Sequence, residues 1–288
     1  MPLWDRSIGG SCDGGSLHGD GPPTILHGGD DHCCRHVPVA QLRQALCGLN
    51  LLRNRGAFFQ GTFWGKTMEP CLFLVRHAQS ANNAQDERYR IPDPSITKLG
   101  HAQSERLAEA LADLRLSILV TSPFLRSIET TRWAAQRTGL VPHIHRDIFE
   151  QGGCYRGYAP GERMPEKGMG RSELQSLCPG WHVDPSIAET GWNQLDRYEG
   201  RAEALARARG VVRWFESTDW CRQERVAMVI HADFKMRLLE AMLDRQDLES
   251  HLGEVVNTSI TRLSRSGAGW KLDFWNSHQH LSPDMITS

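Results

Sequence analysis

Residues 71–83 read CLFLVRHAQSANN, and this stretch decides the fold. CLFLV is a short apolar run, the length of a strand buried on both faces, and it ends abruptly in Arg76 and His77. The same figure recurs downstream. SILVTS (117–122) is followed by Arg126, and RVAMVIH (225–231) ends in His231. Helical patterns lie between these runs. Thr97 can cap a helix in which Leu99, Ala102, Leu107, Ala110, Leu111 and Leu114 share a face. Pro123 opens FLRSIETTRWAAQRTG, at a position where proline is tolerated, and Gly139 closes it. Further helices are predicted over about Tyr198 to Phe215 and over DFKMRLLEAMLD (233–244), and VPHIH (141–145) reads as a third short strand. NTSITRLSRSGAGWKLDFWN (257–276) reads as an antiparallel hairpin. The alternation predicts an α/β three-layer sandwich, with a mainly parallel sheet, helices on both faces and an antiparallel edge.

The 288 residues carry a formal net charge of −1, so no global basic excess points to nucleic acid or to an anionic membrane surface, and any anion-binding charge is local. The N-terminus lacks the layout of a secretory signal and no apolar run has spanning length, which predicts a soluble, cytoplasmic protein. Eight cysteines scattered along a long chain read as reduced thiols. Composition shifts near residue 68. Residues 1–67 are rich in Gly, His, Cys and Asp and read as a low-complexity, disordered extension, save for an amphipathic stretch from Val39 to Leu52. Met68 is an alternative start, opening directly into MEPCLFLVRH. His32, Cys33, Cys34 and His36 are metal-ligating types, but adjacent cysteines lack the spacing of a zinc site, and no metal is expected there. Residues 68–288 read as one domain with an insert at about 155–200.

In parallel sheets ligands bind beyond the carboxyl ends of the strands, where Arg76, His77, Arg126 and His231 fall. Two arginines and two histidines repel one another unless an anion lies between them, and a phosphoryl group accepts bidentate contacts from guanidinium groups. RHAQSANN resembles the RHGxSxxN signature of the histidine phosphatase superfamily (phosphoglycerate mutase-like) at Arg76, His77, Ser80 and Asn83. SPFLRSIETT is similar to that family's SPxxRxxxT segment, FEQGGCYRG to its acidic loop (Glu150, Gly153, Gly157), and VIHADF to its second histidine segment. The likeness runs from about Cys71 to Asn276.

The resemblance implies a metal-independent phosphomonoester hydrolase that works through a phosphohistidine and needs no cofactor. His77 would be the nucleophile and Glu150 the proton donor. Arg76, Arg126 and His231 would hold the phosphoryl oxygens, with Asn83 as a further contact or a loop brace and Ser80 bracing the same loop. The implied partner is a small phosphorylated substrate, with neither nucleic acid nor membrane, and a homodimer is compatible with the sequence. Two other readings stand beside this one, a mutase and a phosphate-binding pseudoenzyme. The latter rests on Ala78 and Ala232, which replace the usual glycines and would be strained by about 1–2 kcal/mol if the backbone there needs positive φ. Glu162, Glu166 and Glu189 are alternative acids. In the insert, Arg156, Arg163, Lys167, Arg171, Arg197 and Arg201 form either a solvated face or a grip on a second charged group, and Trp192 walls the pocket or anchors the insert. Gln79 and Asp233 have no assigned role.

Overall fold

Strand β1 (Cys71–Arg76) is buried at every position, as a strand apolar on both faces must be. The computed structural model describes residues 69–288 apart from 268. The N-terminal extension, the amphipathic helix expected from Val39 to Leu52, the cluster at His32 to His36 and the boundary at 68 lie outside the described residues. After β1 come α1 (Ala81–Ala84), α2 (Lys98–Asp113), β2 (Ile118–Thr121), α3 (Leu125–Thr138) and β3 (His143–Ile144). The insert holds β4 (Tyr155–Arg156), β5 (Met164–Pro165), α4 (Arg171–Leu177) and β6 (His182–Val183). The chain continues through α5 (Arg201–Ser217), α6 (Trp220–Gln223), β7 (Arg225–Ile230), α7 (Ala232–Leu243) and α8 (Leu248–Leu252), and ends in the hairpin β8 (Ile260–Ser266) and β9 (Gly269–Ser277).

The main sheet has the order β6-β3-β2-β7-β1-β8-β9. β6, β3, β2, β7 and β1 pair in parallel, while β8 and β9 add the antiparallel edge. Alternate side chains of one strand feed two cores. Leu72 and Leu74 join Met228, Phe215, Phe234 and Leu238 on one face. Phe73 and Val75 join Val229, Leu107, Leu111 and Ala134 on the other. The α/β three-layer sandwich with a mainly parallel sheet and antiparallel edge is therefore the observed architecture. Among the described residues no helix is long and apolar enough to cross a membrane.

Three boundaries differ from the sequence reading. α3 starts at Leu125, two residues after Pro123, because the Asp93 carboxylate accepts from Leu125 N (2.8 Å) and supplies the end of the helix from outside it. α5 starts at Arg201, since Tyr198 and Glu199 are drawn into side-chain contacts instead. β3 is only two residues long. The buried face of α2 is also less apolar than its leucines suggest, running through Gly100, Gln103, Ser104, Leu107, Ala108 and Leu111. A Cβ on Gly100 would meet the Gln79 carbonyl oxygen at 2.2 Å, so glycine lets this helix close onto the loop that follows His77. Thr97 caps α2 as expected, accepting from Gly100 N, and Gly139 ends α3 in the left-handed conformation.

Candidate active site

The three strands at the centre of the sheet deliver their functional residues side by side, because the ladder continues one residue past each strand end. His77 N donates to Ile230 O (2.9 Å), and Ser122 N donates to Val229 O (3.1 Å). Residue 77 therefore lies beside residues 230 and 231, and residue 122 beside them on the other side. The rings of His77 and His231 are 5.0 Å apart between centroids. Arg126, one residue into α3, donates from Nε to His77 Nε2 (3.1 Å). Arg76 points away from β1 far enough to donate to Val255 O.

A hydrogen bond sets the His77 tautomer. His77 Nδ1 is 2.7 Å from the Ala78 carbonyl oxygen, which can only accept, so Nδ1 carries the proton and Nε2 presents a lone pair. His231 Nε2 is 2.7 Å from Ser122 Oγ, a hydroxyl able to donate or accept, and His231 Nδ1 has no protein partner. Burial holds the pKa of both imidazoles well below the ordinary value, and the Arg126 charge lowers them further. Burial likewise lowers Arg126 to about 10. Asp93, on the far side of that guanidinium, is pushed up to about 6 by burial.

Three polar nitrogens in this cluster are buried with no protein partner: the donors Arg76 Nε and Arg126 Nη1, and His231 Nδ1. Unpaired buried donors are costly, and two guanidinium donors beside the histidine pair make a site for an anion. The His77 carbonyl is held in turn by Asn257 Nδ2 (3.1 Å) and Thr258 N (3.3 Å). Thr258 adopts φ 58°, an uncommon conformation for a β-branched residue. Such strain clusters where a functional group must be held in place.

Glu150 sits at the rim. Its Oε1 accepts from Gln151 N (2.8 Å) and from Phe234 N (2.9 Å), which ties the acidic loop to the first turn of α7. Asp233 neighbours it and is pushed up to about 7, chiefly by the Glu150 charge and then by burial. Arg207 braces the loop from behind, donating to Asp147 O (2.8 Å) and Phe149 O (3.0 Å) while paired with buried Glu199.

Asn83 Oδ1 accepts from Ser80 N (3.0 Å) and Ser80 Oγ (2.9 Å), so both residues brace the loop after His77, and Asn83 Nδ2 remains able to donate outward. Ala78 and Ala232 are absent from the residues with positive φ, so the strain feared at those two positions does not exist. Ala78 N is engaged by Thr130 Oγ1 (3.0 Å). Trp192 is fully buried against Phe124 (ring centroids 4.6 Å) and anchors the insert instead of walling the site. Phe124 in turn packs against His231, at 4.9 Å.

A sequence model of the histidine phosphatase superfamily (branch 1) matches residues 72–278. The chain belongs to that superfamily. It is 25% identical over 234 residues to a glucosyl-3-phosphoglycerate phosphatase of Mycobacterium tuberculosis, covering 75% of this chain and 98% of the relative. It is also 25% identical over 213 residues to phosphoglycerate mutase-like protein 4 of Arabidopsis thaliana, covering 73% of this chain and 86% of that one. A mycobacterial glucosyl-3-phosphoglycerate phosphatase solved with VO3 shares the fold, with a TM-score of 0.52 at 23% identity over 72% of this chain and 99% of that chain.

Asp93, Asn257, Thr258 and Arg207 join or brace this superfamily site and are not singled out by the sequence reading. Asp93 was the most accessible of them, as a lone acid between two prolines (IPDPS) just ahead of a capped helix.

Proposed function

We propose that this member of the superfamily is a metal-independent phosphomonoester hydrolase that passes the phosphoryl group through His77. The observation that carries the reading is the set of unpartnered buried nitrogens, Arg76 Nε, Arg126 Nη1 and His231 Nδ1, around an imidazole whose Nε2 lone pair is free of a proton. Relatives named as phosphatases support phosphatase activity.

In the first step the Nε2 lone pair of His77 forms a bond to phosphorus as the phosphorus–oxygen bond to the alcohol breaks, and the departing oxygen takes a proton from Glu150. Arg126, which donates to Nε2 in the free protein, transfers its donors to the phosphoryl oxygens and uncovers the nucleophile. Arg76, His231 Nδ1 and Asn83 Nδ2 take the remaining oxygens. In the second step water attacks phosphorus, gives a proton back to Glu150, and the nitrogen–phosphorus bond returns its electron pair to Nε2. Fixed cations stabilise the charge that spreads over the equatorial oxygens.

Hydrolysis of p-nitrophenyl phosphate by the full chain, with and without EDTA, beside His77→Ala tests the proposal. Turnover that survives EDTA and is lost in the variant, with acid-labile phosphate trapped on the wild type, is expected. Turnover retained by His77→Ala, or abolished by EDTA, would sink it.

A further inference from the structure

The insert carries six basic residues, and most are spoken for. Arg156 pairs with Glu166 (3.1 Å), Arg197 with Glu203, and Arg201 with Glu240 (2.6 Å). Arg171 donates to the carbonyls of Ile187 (3.0 Å) and Pro185 (2.6 Å). Arg163 is different. Its Nε donates to Tyr158 O (3.3 Å), and its guanidinium, with the two terminal nitrogens left over, lies over the ring of Tyr198, 4.3 Å from the centroid, and 5.8 Å from that of Tyr155. Across the tyrosine pair, Arg90 lies 4.5 Å over Tyr155. The two rings meet edge to face at 5.0 Å, so two guanidinium groups bracket one aromatic pair.

Stacking on an aromatic face fixes the plane of a guanidinium but uses none of its N–H donors. Arg90 Nε is buried without a hydrogen-bond partner, and among the described residues neither Arg90 nor Arg163 has a carboxylate partner. Both line a cavity of about 180 Å³ that also reaches Glu150. The β4–β5 hairpin is held in the shape that presents Arg163 by Gly157. It adopts φ 88°, and a Cβ there would meet the Glu162 carbonyl oxygen at 2.2 Å. The Arg90 charge is close enough to the nucleophile to depress His77 and Arg126. Three acids share the cavity: Glu150, Asp233, which the Glu150 charge and then burial push up to about 7, and the exposed Glu87.

We infer that Arg90 and Arg163 form a second anion-binding clasp beside the phosphoryl pocket, so that the substrate is a phosphomonoester bearing a further carboxylate or phosphate on its alcohol half. The inference rests on the phosphohydrolase reading, and it identifies the class of molecule that reading leaves open. Charge-assisted bonds from planar guanidinium groups suit either anion.

Calorimetry on the full-length wild type with three non-hydrolysable ligands tests the clasp: propylphosphonate, 3-phosphonopropionate and propane-1,3-bisphosphonate. One charged-tail ligand should bind roughly tenfold or more tightly than propylphosphonate. Which of the two wins tells carboxylate from phosphate. Arg90→Gln and Arg163→Gln should each erase most of that preference, while Arg163→Lys, which keeps the charge, retains part of it. Equal binding of all three ligands, or a preference that survives both glutamine substitutions, overturns the clasp alone. No binding of any of them overturns the phosphoryl pocket as well.

Discussion

Arg207 is the strut behind the acidic loop, and its removal separates stability from chemistry. Its side chain is 11% exposed and that of Glu199 is 4% exposed, so their ion pair is a buried one. Arg207 Nε donates to Glu199 Oε1 at 2.8 Å, and its guanidinium stacks 3.6 Å over Phe149 and 4.2 Å over Phe234. Arg207→Met keeps much of the packing but strands a buried carboxylate and two carbonyls, those of Asp147 and Phe149. Breaking one side of such a pair costs about 3–5 kcal/mol, whereas replacing both partners by apolar groups is often near neutral. Arg207→Met should therefore lose about 3–5 kcal/mol in urea denaturation followed by tryptophan fluorescence, and Arg207→Met/Glu199→Met should regain most of it. Activity should not recover with stability, because the double variant still lacks the two bonds that fix the backbone on either side of Ile148 and hold Glu150 at the rim. In the double variant kcat should fall for an alkyl phosphate, which needs its leaving oxygen protonated, and fall less for p-nitrophenyl phosphate, which does not. A single variant within about 1 kcal/mol of wild type would refute the burial argument. A double variant with full kcat on the alkyl ester would refute the strut.

Other consequences follow from the same geometry. Ala78→Gly and Ala232→Gly should each lose roughly 0.5–1 kcal/mol in the same denaturation assay and leave kcat/KM unimproved, since neither alanine is at positive φ; a severalfold rise in kcat/KM would show that glycine is needed for close approach of substrate. Asp233 has a folded-state pKa near 7 against 3.8 for an ordinary aspartate, so the folded chain binds the extra proton and stability drops as pH climbs between those values. Asp233→Asn should raise the melting temperature at pH 8 and have a smaller effect at pH 5; the opposite ordering would mean that Asp233 is ionised and paired. Because burial and Arg126 hold His77 far below the usual imidazole range, the acid limb of the kcat/KM profile for p-nitrophenyl phosphate should lie below pH 6.5, and a limb at or above that value assigned to His77 by substitution would count against a neutral, buried nucleophile.

What was legible in the sequence is local. CLFLV (71–75), LVT (119–121) and VAMVI (226–230) are buried on both faces, and a strand of that kind can only sit in the middle of a covered sheet, so their polar ends had to emerge together at one edge. Thr97 and Gly139 could be read because a cap acts on its own helix. The residues that escaped act across the chain. Asp93 supplies the end of α3 from 32 positions away, Asn257 reaches the His77 carbonyl across 180, and Arg207 reaches Phe149 across 58. Nothing in the local pattern of an aspartate, asparagine or arginine says which distant backbone group it will serve.

The insert shows the same limit from the other side. Its arginines are alike in sequence, and their meaning depends on whether a carboxylate stands opposite. Arg156, Arg197 and Arg201 meet one, and Arg163 instead meets a tyrosine face. A charge neutralised by an ion pair contributes to shape, and a charge fixed by stacking keeps most of its donors for a ligand. The superfamily's phosphoryl chemistry is thus written at the strand ends, where a short stretch of chain suffices to specify it. Under the proposed clasp, selectivity lies in the choice of partner for each basic side chain, which becomes visible only when Arg90, from the segment between α1 and α2, and Arg163, from the β4–β5 hairpin, are brought to one cavity.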